Sequence, residues 1–300
     1  LVFANTPAPV ESFLRPGGSA FAVAQKRIEI RLQRLTTLRL ARLILLLCPA
    51  ALSAHDLYLL PASYHPKVGE HLRVAFHNGD SFPESEVAPT PARLRDARIS
   101  SVSGKAGVEN LQIAGKETFG DVIVPAGGGL ILSVATVPNF IELAPDKFVA
   151  YLKEEGLDQV MAWRGSHHEE AKPGRERYTK FAKSLLRGEG KDDYSQQPLG
   201  LKIEIVPLTN PYDLHVGSTL PVWVLFEGKP AAGLQLEAAR AGRAGSKTTV
   251  IGRTGSDGRI NIPVDQTGQW RLHSLRMERC LEPTVADWES SWASLTFEIQ

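Results

Sequence analysis

The chain has 300 residues, 34 Lys/Arg against 33 Asp/Glu, a formal net charge of +1 and two cysteines. Two cysteines exclude a disulfide-stapled scaffold and a cysteine-rich zinc site. Seven of the basic and two of the acidic residues precede residue 55, so the remainder carries 27 basic and 31 acidic residues, a net charge of −4, with no basic stripe suited to nucleic acid.

Residues 1–30 show no apolar period and read as an over-extended start that contributes nothing to the fold. Arg31, Arg34, Arg39 and Arg42 then form a basic region, Leu43 to Leu52 an apolar core, and Ser53-Ala54 offer small residues for cleavage. That pattern predicts a cleaved secretory signal, too short to span a membrane, and a periplasmic destination with no transmembrane segment afterwards. Cys48 falls within the signal, leaving Cys280 alone, and Leu47 is large where a lipobox wants a small residue. Cleavage after Ala54 makes His55 the first residue, and a free α-amine beside an imidazole is a bidentate metal chelator.

Residues 55–145 read as an N-terminal β-sandwich. Leu57 to Leu60 opens it, and His71 to His77 alternates, placing Leu72, Val74 and Phe76 on one face and His71, Arg73, Ala75 and His77 on the other. Asn78-Gly79-Asp80 is a turn signal. Val122 to Val124 and Leu130 to Ala135 are further strands, separated by Gly127-Gly128-Gly129. Residues 146–198 read as a helical insert and linker. Asp146 is the expected N-cap of a helix carrying Phe148, Tyr151 and Leu152 and ending near Gly156. A second helix is expected from Arg175 to Leu186, where Tyr178, Phe181, Ala182 and Leu185 recur at spacings of three and four. Between them lies the polar loop Gly165 to Glu170. Residues 199–300 return to strands (Lys202–Val206, Pro221–Phe226, Leu234–Ala238, Ile260–Val264, Gly268–His273, Ser294–Ile299) with a hairpin turn at Ser256 to Arg259. The expected fold is mainly β: two immunoglobulin- or transthyretin-like sandwiches with a short helical insert between them.

Several motifs resemble one family. His55-Asp56 with Leu59 and Pro61, Lys147-Phe148 with Tyr151 to Leu157, and Arg175 to Tyr178 with Lys180 and Lys183 are similar to the first half of DUF4198 proteins. Asn210-Pro211-Tyr212, Gly228-Lys229-Pro230, Asp257-Gly258-Arg259 and Ala286 to Ser290 with Trp292 resemble the second half. The resemblance covers nearly all of residues 55–300. It implies a periplasmic component related to nickel/cobalt uptake, similar to NikM-type transporter subunits. It also implies a second histidine in the Trp270–Met277 stretch, where this chain has Arg276, a departure that weakens transfer of a metal site to that position.

The candidate metal ligands are His55, Asp56, His77 and His168, with nickel or cobalt as the leading ion and copper as a third choice. His55 anchors the site and Asp56 supplies an oxygen. His71 and His77 lie about 20 Å apart along one strand at ~3.3 Å per residue, so they cannot share an ion; His77, beside the turn, is preferred. In His167-His168-Glu169-Glu170 adjacent side chains point opposite ways, which favours a solvated loop over a chelate, with His168 as the auxiliary candidate. His273 reads as a hydrogen-bonded structural histidine, and Trp288 and Trp292 as core or interface anchors. No nucleophile elbow, zinc-protease helix, phosphate loop or dinucleotide fingerprint is present, so no enzymatic activity is expected. The expected function is metal binding as an accessory to uptake, with a membrane transporter component as partner. The alternatives are an envelope interaction module without metal and a copper histidine-brace protein.

Overall fold

The computed structural model describes residues 55–190, 192–242 and 245–300, with side chains described outside 242–247; the predicted signal and Cys48 lie outside these residues. The described chain runs β1 (Leu57–Pro61), β2 (His71–Asn78), β3 (Leu94–Ser101), β4 (Gly104–Gly107), β5 (Glu109–Ala114), β6 (Glu117–Ile123), β7 (Gly129–Thr136) and β8 (Asn139–Leu143). Two helices follow, α1 (Pro145–Glu154) and α2 (Asp158–Ser166), then β9 (Gly174–Arg187), β10 (Ile203–Pro207), β11 (Thr219–Phe226) and β12 (Lys229–Pro230). The remaining strands are β13 (Gln235–Gly242), β14 (Gly245–Arg253), β15 (Arg259–Pro263), β16 (Gly268–Arg279) and β17 (Trp288–Ile299).

Among the described residues these strands form three sheets. A nine-stranded sheet has the order β14-β13-β16-β17-β9-β7-β3-β4, with β8 paired to β9; the flanking sheets are β1-β2-β6-β5 and β10-β11-β12 with β15 on β11. Alternate side chains of the large sheet face different neighbours, as the two-residue period of a strand requires. Leu130, Leu132 and Val134 of β7 join Leu59, Leu72, Val74 and Phe76 in one core. Ile131, between them, joins Ile205, Val222, Val224 and Trp270 in the other. A third cluster packs Phe148 and Leu152 of α1 and Val160 of α2 on Leu275, Trp288 and Trp292, so both tryptophans anchor a core as expected.

The mainly β, multi-sheet sandwich agrees with the sequence reading. The nine-stranded sheet takes strands from all three predicted segments, so it runs unbroken across both predicted boundaries, with the two cores packed along it. The expected helix over Arg175–Leu186 is instead the long central strand β9. It pairs in parallel with β17 and antiparallel with β7, and these ladders override a 3–4 spacing that mimicked a helix. Helix α1 forms as expected, but Asp146 is not its cap. Pro145 takes the first turn, Ala144 stands at the N-cap without a side-chain bond, and Asp146 sits within the first turn, where a carboxylate suits the helix dipole. Gly156 leaves the helix at φ 63°, a left-handed conformation natural to glycine. Gly165 and Ser166 belong to α2 rather than to a loop.

Candidate metal centre

His55 stands immediately before β1, and the turn after β2 folds back over it. His55 Nδ1 lies 3.1 Å from Asp80 Oδ2 and 3.6 Å from Glu86 Oε2. One ligand atom from each residue falls within 4.8 Å of the others, which makes this the convergent His/Asp/Glu group found among the described residues. The acid loop is built for the approach. Glu86 Oε1 accepts from the backbone N–H of Asp80 at 3.0 Å, so Oε2 is the oxygen that faces His55. Gly79 is required at the pivot: a Cβ there would lie 2.8 Å from the Glu84 carbonyl oxygen and 3.0 Å from the Glu86 nitrogen.

Beneath the turn lies a buried charge network. Asp56 forms ion pairs with Arg271 (3.1 Å) and His273 Nδ1 (2.9 Å), and His273 Nε2 meets Glu155 Oε2 at 3.0 Å. Burial alone would raise the Asp56 carboxyl, but His273 and Arg271 outweigh it and hold the group well below the usual carboxylate range. Burial would likewise lower the His273 imidazole, yet Asp56 and Glu155 push it up to about 10. The network also holds the turn: Gly79 N–H donates to the Asp56 carbonyl at 3.0 Å, and Arg271 donates to the Gly79 carbonyl at 3.2 Å. Lys180 of β9 donates to the His55 carbonyl and to Asn78 Oδ1 (3.0 Å), fixing the backbone of His55 from the other side. Burial lowers its ammonium to about 8, against the pull of Asp56 and Asp80.

Of the four sequence candidates, His55 is the one in the convergent group. Asp56 has both oxygens engaged by Arg271 and His273, so it supports the site rather than ligating in it. His77 is buried against Tyr58 (ring centroids 5.2 Å) and faces Glu117 at 3.3 Å, outside the group. His168 is exposed at the end of α2 with φ 54° and is not brought to His55; its neighbour His167 stacks on Trp163 at 3.8 Å. His273 is the structural histidine it was read as. Sequence reasoning missed Asp80 and Glu86. The turn at 78–80 was visible, but the folding back of the acidic segment Asp80–Glu86 onto His55 was not.

A second buried carboxyl lies deeper. Glu176 Oε1 accepts from the Ser290 hydroxyl and from Tyr151 Oη (3.2 Å), and burial raises its carboxyl to about 7. Its folded value lies above the ordinary 4.5, so its contribution is fully present below 4.5 and lost as pH rises through about 7. Glu176→Gln is expected to remove roughly 2–3 kcal/mol of the stability lost between about pH 5 and about pH 8, at ~1.4 kcal/mol per unit. Urea unfolding of both proteins at the two pH values measures this, and identical pH dependence in the variant would refute it.

The family model for DUF4198, a domain of unknown function, matches residues 52–278. The chain belongs to this family. No curated protein matches it. Among solved structures, it is similar to a tetra-tandem repeat in the extending region of a large adhesion protein (13% identity, 81% of this chain and 49% of that one, TM-score 0.21). It is also similar to a DUF4785 family protein from Legionella pneumophila (11%, 72% and 50%, TM-score 0.23) and to the D0-D1 domain of intimin (12%, 81% and 97%, TM-score 0.18). The chain spans about half the length of the first two. Among the described residues no helix is long and apolar enough to cross a membrane.

Proposed function

We propose that this DUF4198 protein binds a divalent transition metal in the periplasm, nickel or cobalt before copper, as an accessory to metal uptake. The observation that carries the reading is the approach of two carboxylates to His55 Nδ1, at 3.1 and 3.6 Å. Metal bonds of ~2.1 Å set neighbouring donors about 3.0–3.4 Å apart in octahedral or tetrahedral geometry; the Asp80 oxygen stands within that range and the Glu86 oxygen a few tenths of an ångström beyond it, a displacement a carboxylate side chain can close on an ion. Nδ1 is also the ring nitrogen that closes a chelate with the α-amine of the same residue. Signal cleavage after Ala54 would thus add a fourth donor to the three side chains. Nitrogen and carboxylate donors without thiolate suit nickel and cobalt. The recipient of the ion would be a membrane transporter component.

The test is a native mass spectrum of the protein exported to a bacterial periplasm, taken with limiting nickel, cobalt and copper. The expected species begins at His55 and holds one metal. A different N-terminus, or an apo mass with all three ions available, would overturn the reading and favour an envelope interaction module.

A further inference from the structure

A recess of about 160 Å³ shares Lys180 and Asn78 with the surroundings of the metal centre: its wall is built from β1, the end of β2, the 87–94 segment, the end of β7 and β9. Its polar wall includes Asn78, Arg93, Tyr178 and Lys180, and its apolar wall includes Leu57 and Leu94. Two cations therefore line one small cavity. Lys180 is engaged by the His55 carbonyl and Asn78 Oδ1. The Arg93 guanidinium lies 6.0 Å from the Tyr178 ring centroid, and among the described residues no carboxylate pairs with it. Lys180 spends two of its three N–H donors on the His55 carbonyl and Asn78, leaving a third.

We propose that this recess is a binding site for a small free monocarboxylate with a compact apolar body, held by Arg93 and Lys180. The charge follows from a guanidinium that no carboxylate among the described residues pairs, a planar fork that matches a carboxylate with two hydrogen bonds. The single charge follows from Lys180 already giving two of its N–H donors to the protein, which leaves Arg93 as the one cation with its fork open. The size follows from the volume, since a cavity of ~150 Å³ accommodates benzene. The apolar body follows from Leu57 and Leu94. This site is separate from the metal centre, although Lys180 touches the residues of both.

Benzoate is the probe and benzamide its uncharged counterpart, titrated by NMR into the full protein kept metal-free with a chelator. The expected result is saturable benzoate binding with shifts centred on residues 87–94, and at least about tenfold weaker binding of benzamide. Arg93→Gln, a change at a half-exposed side chain, is expected to weaken benzoate by about tenfold or more, and Arg93→Lys to restore part of that loss. Absence of saturable benzoate binding would overturn the proposal. So would equal affinity for benzamide, or an Arg93→Gln protein that binds benzoate unchanged.

Discussion

Asp56→Ala is expected to destabilise the protein by about 3–5 kcal/mol, the usual cost of removing one member of a buried ion pair. The cost comes from what stays behind. Arg271 and His273 are 3% and 5% exposed in their side chains, and both direct a cationic group at the Asp56 carboxylate. Without it, two cations face each other in the interior with Glu155, paired to His273, and Glu237, opposite His273 on β13, left to answer them. At roughly 2–4 °C per kcal/mol for a domain of this size, the melting temperature should fall by about 10 °C. His273 supplies a second readout. Its value of about 10 rests on Asp56 and Glu155 overcoming burial, so Asp56→Asn should move it sharply down towards or below the ordinary 6.5, as followed by the imidazole resonances in NMR. The signs of the two contributions differ. His273, raised, contributes fully below 6.5 and loses its contribution as pH rises through about 10. Asp56, lowered, contributes above 3.8 and loses its contribution in strong acid. The wild-type network is thus intact from mild acid to neutrality. An Asp56→Ala protein that melts with the wild type would show that the network carries little of the stability.

The strands legible in the sequence are those whose two faces meet different surroundings. His71 to His77 alternates because Leu72, Val74 and Phe76 enter a core while His71 and Arg73 stay exposed. β9 was not legible for the opposite reason. Its buried face carries Glu176, Lys180 and Ser184, polar groups whose burial depends on partners far along the chain, such as Ser290. A local pattern registers such residues as surface, and the remaining apolar positions then fall into a helical spacing. The same limit governs the site. His55 stood out because the sequence reading places a cleavage signal directly before it. Its acidic partners were not, since their convergence requires Gly79 to admit the 84–86 backbone and Arg271, from near the other end of the chain, to hold the turn. Asp56, adjacent to His55, looked like a ligand. Its assignment as the counter-ion of Arg271 and His273 needed the register of β16 and β17 against β1, which is tied by Ser294 and Thr296 hydroxyls donating to the Leu57 and Leu59 carbonyls at 2.5 and 2.6 Å.

The processed protein should lose about 100-fold or more in nickel or cobalt affinity on His55→Ala, close to 2.8 kcal/mol, because the anchor and one ring of the chelate go together. The loss should come without unfolding. The His55 side chain bonds to Asp80 and Glu86 rather than to the core, while its carbonyl, which Lys180 holds, survives the substitution. Two companion proteins separate the donors. A chain that keeps Ala54 retains the imidazole and both carboxylates but turns the α-amine into a poorly coordinating amide, so it should bind more weakly than the processed form. Glu86→Gln can still accept from the Asp80 N–H through its amide oxygen, and so preserves the turn while replacing the oxygen that faces His55. It should cost about tenfold. Competition with a chromophoric chelator gives the affinities, and the cobalt absorption spectrum reports loss of a ligand directly. Thermal stability provides an independent measure: ion at a hundred times its dissociation constant adds about 2.7 kcal/mol to a protein that binds it only when folded. The wild type should therefore gain several degrees with saturating metal, and His55→Ala should gain almost none at that concentration. Equal metal affinity in wild type and His55→Ala would remove His55 from the site and, with it, the case for a chelate formed by signal cleavage.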